Sequence, residues 1–95
     1  MADRDMTMVF CYDISSPTLR RRVAEALEKR AARVQLSVFE ARMTGQAAER
    51  LFRRLEKFLE PGDSLRMYAL SKAGLARCKA AGGAPIPEGE NYWLL

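Results

Sequence analysis

Residues 6–14 read MTMVFCYDI. Aromatic and β-branched residues dominate this run and no glycine or proline interrupts it, which is the composition of a strand. Side chains alternate across a strand, so Met8, Phe10 and Tyr12 share one face while Val9, Cys11 and Asp13 share the other. Both faces stay apolar until Asp13. A strand apolar on both sides lies centrally in a sheet that is covered twice. Helices supply one cover. In a chain of 95 residues, whose own core is thin, a second protomer is a natural source of the other.

Reading outward, Ser15-Ser16-Pro17 opens a helix. Ser16 suits the N-cap, and Pro17 suits the first helical position, where no N–H is needed. Leu19, Val23, Ala26 and Leu27 recur at helical spacing to about Ala31. Residues 33–40, RVQLSVFE, alternate as a second strand, with Val34, Leu36 and Val38 inward and Gln35, Ser37 and Phe39 outward. An outward Phe39 would invite a partner. Thr44 is an N-cap candidate for a second helix, whose stripe is Ala48, Leu51, Phe52, Leu55, Phe58 and Leu59. Pro61-Gly62-Asp63 ends it with turn residues. Residues 64–70, SLRMYAL, form a third strand.

The alanine-rich stretch 71–83 has helix propensity, and it also accommodates a short fourth strand near Leu75–Lys79. Gly82-Gly83, Pro85 and Pro87 read as a linker. Asn91-Tyr92-Trp93-Leu94-Leu95 closes the chain with an apolar run suited to adding a strand to a sheet, the partner's included. The runs therefore read strand, helix, strand, helix, strand, strand. The expectation is one α+β domain over residues 1–95, with its core at about 6–80 and a linker and interface strand at 81–95. Its architecture is a ferredoxin-like β-α-β-β-α-β-type sandwich. A four-stranded antiparallel sheet carries two helices on one face and an extra C-terminal strand, and dimerisation is a natural way to cover the other face.

Composition narrows the chemistry. The net charge of +4 sits in residues 18–83, and both ends are slightly acidic. A basic middle suits a polyanion such as nucleic acid, and it equally suits a solvated surface kept for solubility. The chain has no histidine, so it excludes a Ser-His-Asp triad, a Cys-His dyad and imidazole-ligated zinc. Cys11 and Cys78 have no metal-type spacing and read as reduced thiols of a cytoplasmic protein. No run spans a bilayer, and the N-terminus carries no signal-peptide pattern.

Chemistry must then rest on carboxylates, a metal ion, or neither. Asp13 ends an apolar strand just before a turn. There it can be a hard oxygen ligand for Mg²⁺ or Mn²⁺, paired with a second copy across a two-fold axis, or it can accept from the backbone of the turn. Glu40 is a second ligand candidate or a surface acid paired with Arg42. Arg20, Arg21, Arg22 and Arg33 can bind phosphate or simply be solvated. Arg66 can bind phosphate or pair with an acid. Tyr12 and Phe39 can stack on bases or pack within the fold.

Three segments taken together resemble the CRISPR-associated Cas-two family. They are Tyr12-Asp13-Ile14-Ser15 after an apolar strand, Arg33-Val34-Gln35-Leu36-Ser37-Val38-Phe39-Glu40, and Asp63-Ser64-Leu65-Arg66-Met67-Tyr68-Ala69-Leu70. The similarity is good from Met8 to Leu70 and looser toward the C-terminus. It implies a ferredoxin-like homodimer that works with the Cas-one integrase to insert spacers into a CRISPR array. It also implies a metal-dependent endonuclease acting on RNA or double-stranded DNA. By this resemblance Asp13 is the Mg²⁺ (or Mn²⁺) ligand and a catalytic residue, with Tyr12 beside it. Arg33, Phe39 and the helix arginines Arg20, Arg21 and Arg22 meet nucleic acid. A non-catalytic bridge that grips DNA, and a toxin-like ribonuclease on the same fold, are the competing functions.

Overall fold

The N-terminal apolar run forms β1 (Asp5–Asp13), which lies inside the sheet between β3 (Val38–Thr44) and β4 (Ser64–Leu70). β2 (Ala32–Gln35) pairs with the outer side of β3. The computed structural model describes residues 4–83, 85 and 86. Over them, four antiparallel strands lie in the order β2-β3-β1-β4. Helix α1 (Pro17–Glu28) joins β1 to β2, and α2 (Gly45–Glu56) joins β3 to β4. This is the expected ferredoxin-like α+β sandwich.

Both long helices start where their caps stand. Ser16 Oγ accepts from the Leu19 amide at 3.2 Å and Thr44 Oγ1 from the Ala47 amide at 3.1 Å, each satisfying one of the donors a helix start leaves free. Helix α1 ends at Glu28, short of Ala31, in a tightened turn in which the Arg30 amide donates to Leu27 O at 2.9 Å.

The core lies between the sheet and the two helices. Met8, Phe10 and Tyr12 of β1 and Phe39, Ala41 and Met43 of β3 meet Val23 and Leu27 of α1 and Leu51 and Leu55 of α2. Each large apolar side chain so buried contributes about 1.5–3 kcal/mol.

Two expectations about the strands are corrected. Residues 33–40 are not one strand but a hairpin: β2 ends at Gln35, Leu36-Ser37 make the turn, and β3 begins at Val38. Among the described residues no non-glycine residue has positive φ, so this turn is not of the primed type favoured in two-residue hairpins. A register shift between Arg33 and Gln35 accompanies it; an extra residue there bends the strand and adds twist. The reversal inverts the inside-outside assignment. Phe39 is fully buried opposite Phe10, and Leu36 is 84% exposed. The second correction falls at Leu75–Lys79. Residues Lys72–Ala76 form a short helix, α3, capped by Ser71, whose Oγ accepts from the Gly74 amide at 3.0 Å. The expected C-terminal strand at 91–95 lies outside the described residues.

The face of the sheet away from α1 and α2 carries Thr7, Val9, Cys11 and Asp13 from β1. Beside them stand Val38, Glu40 and Arg42 from β3, and Arg66, Tyr68 and Leu70 from β4. Val9 and Cys11 are half-buried and Tyr68 is 47% exposed. After α3 the chain runs past Val34, Gln35 and Glu40, enclosing with them a cavity of about 280 Å³. Among the described residues no helix is long and apolar enough to cross a membrane.

Candidate nucleic-acid and metal site

Alternation along β1 sends Tyr12 and Asp13 to opposite faces of the sheet, so the structure does not bring these two expected catalytic residues together. Tyr12 is 6% exposed. Its hydroxyl donates to Leu36 O at 3.3 Å, and its ring stacks on Phe39 with centroids 6.3 Å apart. Burial pushes the phenol's pKa up, and the neighbouring Arg33 guanidinium works against that rise.

Arg33 belongs to the same cluster. Its guanidinium lies 5.0 Å from the centre of the Phe39 ring, within cation–π reach. It also pairs with Glu28 at 3.5 Å. The outward Phe39 expected for base stacking is therefore corrected: the ring is sealed in the core beneath Arg33 and has no face left for a base. Part of Arg33's charge is already answered by Glu28.

Asp13 stands at the other surface. It is exposed, at the last position of β1, opposite Ser64 of β4. Its carboxylate has no ion-pair or hydrogen-bond partner among the described residues. The turn-acceptor role open to Asp13 falls instead to Asp63. Asp63 Oδ1 accepts from the Ser15 amide at 3.1 Å and Oδ2 from the Glu60 amide at 3.0 Å. These two donors hold its carboxyl below the usual range. The Pro-Gly-Asp turn was the signal for Asp63, since a turn aspartate seeks nearby backbone N–H groups.

The three helix arginines divide. Arg20 Nη1 donates to Ile14 O at 3.0 Å and so braces the loop after Asp13. Arg21 and Arg22 are exposed on α1 with no ion pair among the described residues. On β4, Arg66 sits opposite Cys11 on the Asp13 face and donates to the Tyr68 hydroxyl at 2.9 Å. Glu40 forms no ion pair with Arg42; it is half-buried opposite Val9, and burial pushes its carboxyl up.

The donor chemistry can be set against Mg²⁺ or Mn²⁺. Mg²⁺ takes hard oxygen ligands and keeps several waters, needing only one or two carboxylates. Asp13 is such a donor, solvent-facing and uncommitted. Among the described residues no three His, Cys, Asp or Glu side chains come together. One chain thus offers Asp13 without a three-residue ligand set around it. Waters, a second copy or a phosphate would complete the coordination.

The chain is similar to known proteins over most of its length. The family model described as CRISPR associated protein Cas2 matches residues 6–78. A CRISPR-associated endoribonuclease Cas2 from Synechocystis is 33% identical over 87 residues, covering 90% of this chain and 94% of that protein. The crystal structure of Streptococcus pyogenes Cas2 at pH 6.5 superposes with a TM-score of 0.69 at 30% identity, covering 81% of this chain and 100% of the other. A chain of a partial Cas6-RT-Cas1–Cas2 complex superposes with a TM-score of 0.71 at 26% identity, covering 87% and 92%.

Proposed function

The chain belongs to the CRISPR-associated Cas2 family, and we propose that it acts in CRISPR adaptation as a homodimeric partner of the Cas1 integrase. In this reading it binds nucleic acid and hydrolyses phosphodiesters with Mg²⁺ or Mn²⁺. The observation that carries the nuclease part is the free carboxylate of Asp13, at the strand end, on the sheet face that α1 and α2 leave uncovered.

That face supports the homodimer of this reading. Val9 and Cys11 at its centre are apolar and only half-buried within one chain, and a second copy of the same face would exclude water from both. In an isologous two-fold interface a residue meets its own copy only near the axis; in this reading Asp13 lies there, and Asp13 of this chain and of the second copy are the residues that would hold the ion. When bound, the ion polarises the phosphodiester and makes an attacking water more acidic. The chain's own residues do the rest. Arg21 and Arg22 attract and orient the phosphate backbone, and Arg33 adds what charge Glu28 leaves. Tyr12 packs on Phe39 beside Arg33 and takes no part in proton transfer.

A second reading has a specific observation behind it. Because Asp13 belongs to no group of three or more potential ligands among the described residues, the dimer can also serve as a bridge that grips DNA and Cas1 without cleaving anything. The two readings separate in one paired assay. Wild type and Asp13→Ala are compared for spacer integration with Cas1 and for Mg²⁺-dependent cleavage of nucleic acid. A nuclease loses cleavage with Asp13→Ala. A bridge integrates equally well with either chain and cleaves with neither. Failure to bind Cas1 at all would reject the adaptation role.

A further inference from the structure

We infer that Asp63 is a positioning residue for Asp13, holding the strand end and the following loop in one preset conformation. This rests on the reading of Asp13 as the functional carboxylate. Asp63 precedes Ser64, and Ser64 is the residue paired with Asp13 across β1 and β4. The Asp63 side chain therefore stands beside the rung that carries Asp13. It lies in a tight turn, Glu60-Pro61-Gly62-Asp63, closed by the Asp63 amide donating to Glu60 O at 2.9 Å. Gly62 takes φ of 90°, the conformation that the third residue of a Pro-Gly turn requires.

From this turn one carboxylate reaches two chain segments. It accepts from Glu60 within its own turn and from Ser15 in the loop after Asp13. Hydrogen bonds to an ionised acceptor are about twice as strong as neutral ones. The same loop is held from the other side by Arg20, whose guanidinium donates to Ile14 O. Ile14 itself is buried, and Ser16 is committed as the cap of α1. Residues 14–16 are thus held at each position, while the Asp13 carboxylate is left unpartnered. A functional group is most useful when its support is fixed and its own atoms are free. Asp63 supplies that support across the sheet, from 48 residues further along the chain than Ser15.

The test uses the full-length ¹⁵N-labelled protein, wild type beside Asp63→Ala and Asp63→Asn. Two quantities are read: amide hydrogen exchange at Ser15 and Glu60, and Mn²⁺ broadening of signals around Asp13. Unchanged exchange in β3 and α2 reports that a variant is folded. Asp63→Ala is expected to speed exchange at both amides about tenfold or more, and to raise the Mn²⁺ concentration for half-broadening severalfold. Asp63→Asn keeps an accepting oxygen and is expected to recover part of both losses. Wild-type exchange at Ser15 in Asp63→Ala would overturn the positioning role. So would faster exchange with an unaltered Mn²⁺ response, which would leave Asp63 a purely structural residue. If Mn²⁺ leaves the wild-type Asp13 signals unbroadened, the metal reading fails separately, and Ser15 exchange together with the Asp13 amide shift still decides whether Asp63 sets the strand end.

Discussion

Arg33 lies over the ring of Phe39, its guanidinium carbon 5.0 Å from the ring centre. The arginine covers the core at the edge of the sheet, and the aromatic ring serves as its platform. Glu28 holds the guanidinium from the side and Tyr12 stacks on the ring from within. Residues that the family pattern groups with nucleic acid are here tied to one another.

Phe39 is therefore a stability residue. Phe39→Ala removes a fully buried ring and is expected to cost about 3–5 kcal/mol, measured by urea unfolding. The milder Phe39→Leu should stay folded and bind nucleic acid as tightly as wild type. A folded Phe39→Leu that loses binding would restore a contact role to the ring.

Tyr12 gives a gentler test of the same cluster. Tyr12→Phe removes only the hydroxyl bonded to Leu36 O. It is expected to cost about 0.5–1.5 kcal/mol and to leave any Mg²⁺-dependent cleavage at the wild-type rate. A large loss of rate in a stable Tyr12→Phe protein would show the phenol acting on substrate.

The helix arginines should separate by their internal ties. Arg21→Ala and Arg22→Ala should each weaken duplex binding and lower the salt slope of log K by about 0.9. Arg20→Ala should lower it less and destabilise the loop after Asp13, because Arg20 is already bound to Ile14 O. Anisotropy titrations across salt concentrations give the slopes. Equal slopes for all three variants would reject the division.

Glu40 sets a pH dependence. Its carboxyl is pushed above the ordinary value of 4.5 by burial. The folded state therefore holds its proton at pH values where the unfolded chain has released it. Stability from this group falls as pH rises through that window. Glu40→Gln should melt higher than wild type at pH 7, and the gap should close as pH falls below the raised value. A gap that widens on acidification would show that the ionised carboxylate is stabilising.

Much of this architecture was legible in the sequence, and the failures have physical causes. MTMVFCYDI carried its strand and both its faces. Ser16 and Thr44 announced their helices because a cap is a local chemical need. The hairpin inside residues 33–40 was hidden because its turn, Leu36-Ser37, contains no glycine, asparagine or aspartate. A strand pattern continued through it, and one unseen reversal exchanged the roles of Leu36 and Phe39. Stretch 72–76 became helix because Ser71 caps it and its alanines favour it. At the site, Asp13 was legible from its position at the end of an apolar run. Asp63 was legible only as a turn residue, since its bond to Ser15 joins segments far apart in the chain.

In the proposed function, Asp13 is the residue through which this chain would act as a metal-dependent nuclease. The direct measurement is cleavage of single-stranded RNA and of duplex DNA by wild type and Asp13→Ala, with Mg²⁺ and with excess EDTA. The wild-type protein is expected to cleave at least one substrate only with Mg²⁺, and Asp13→Ala to be slower by at least about 100-fold while remaining folded and dimeric. Equal cleavage by the two proteins, undiminished cleavage in EDTA, or no Mg²⁺-dependent cleavage of either substrate by wild type would contradict it.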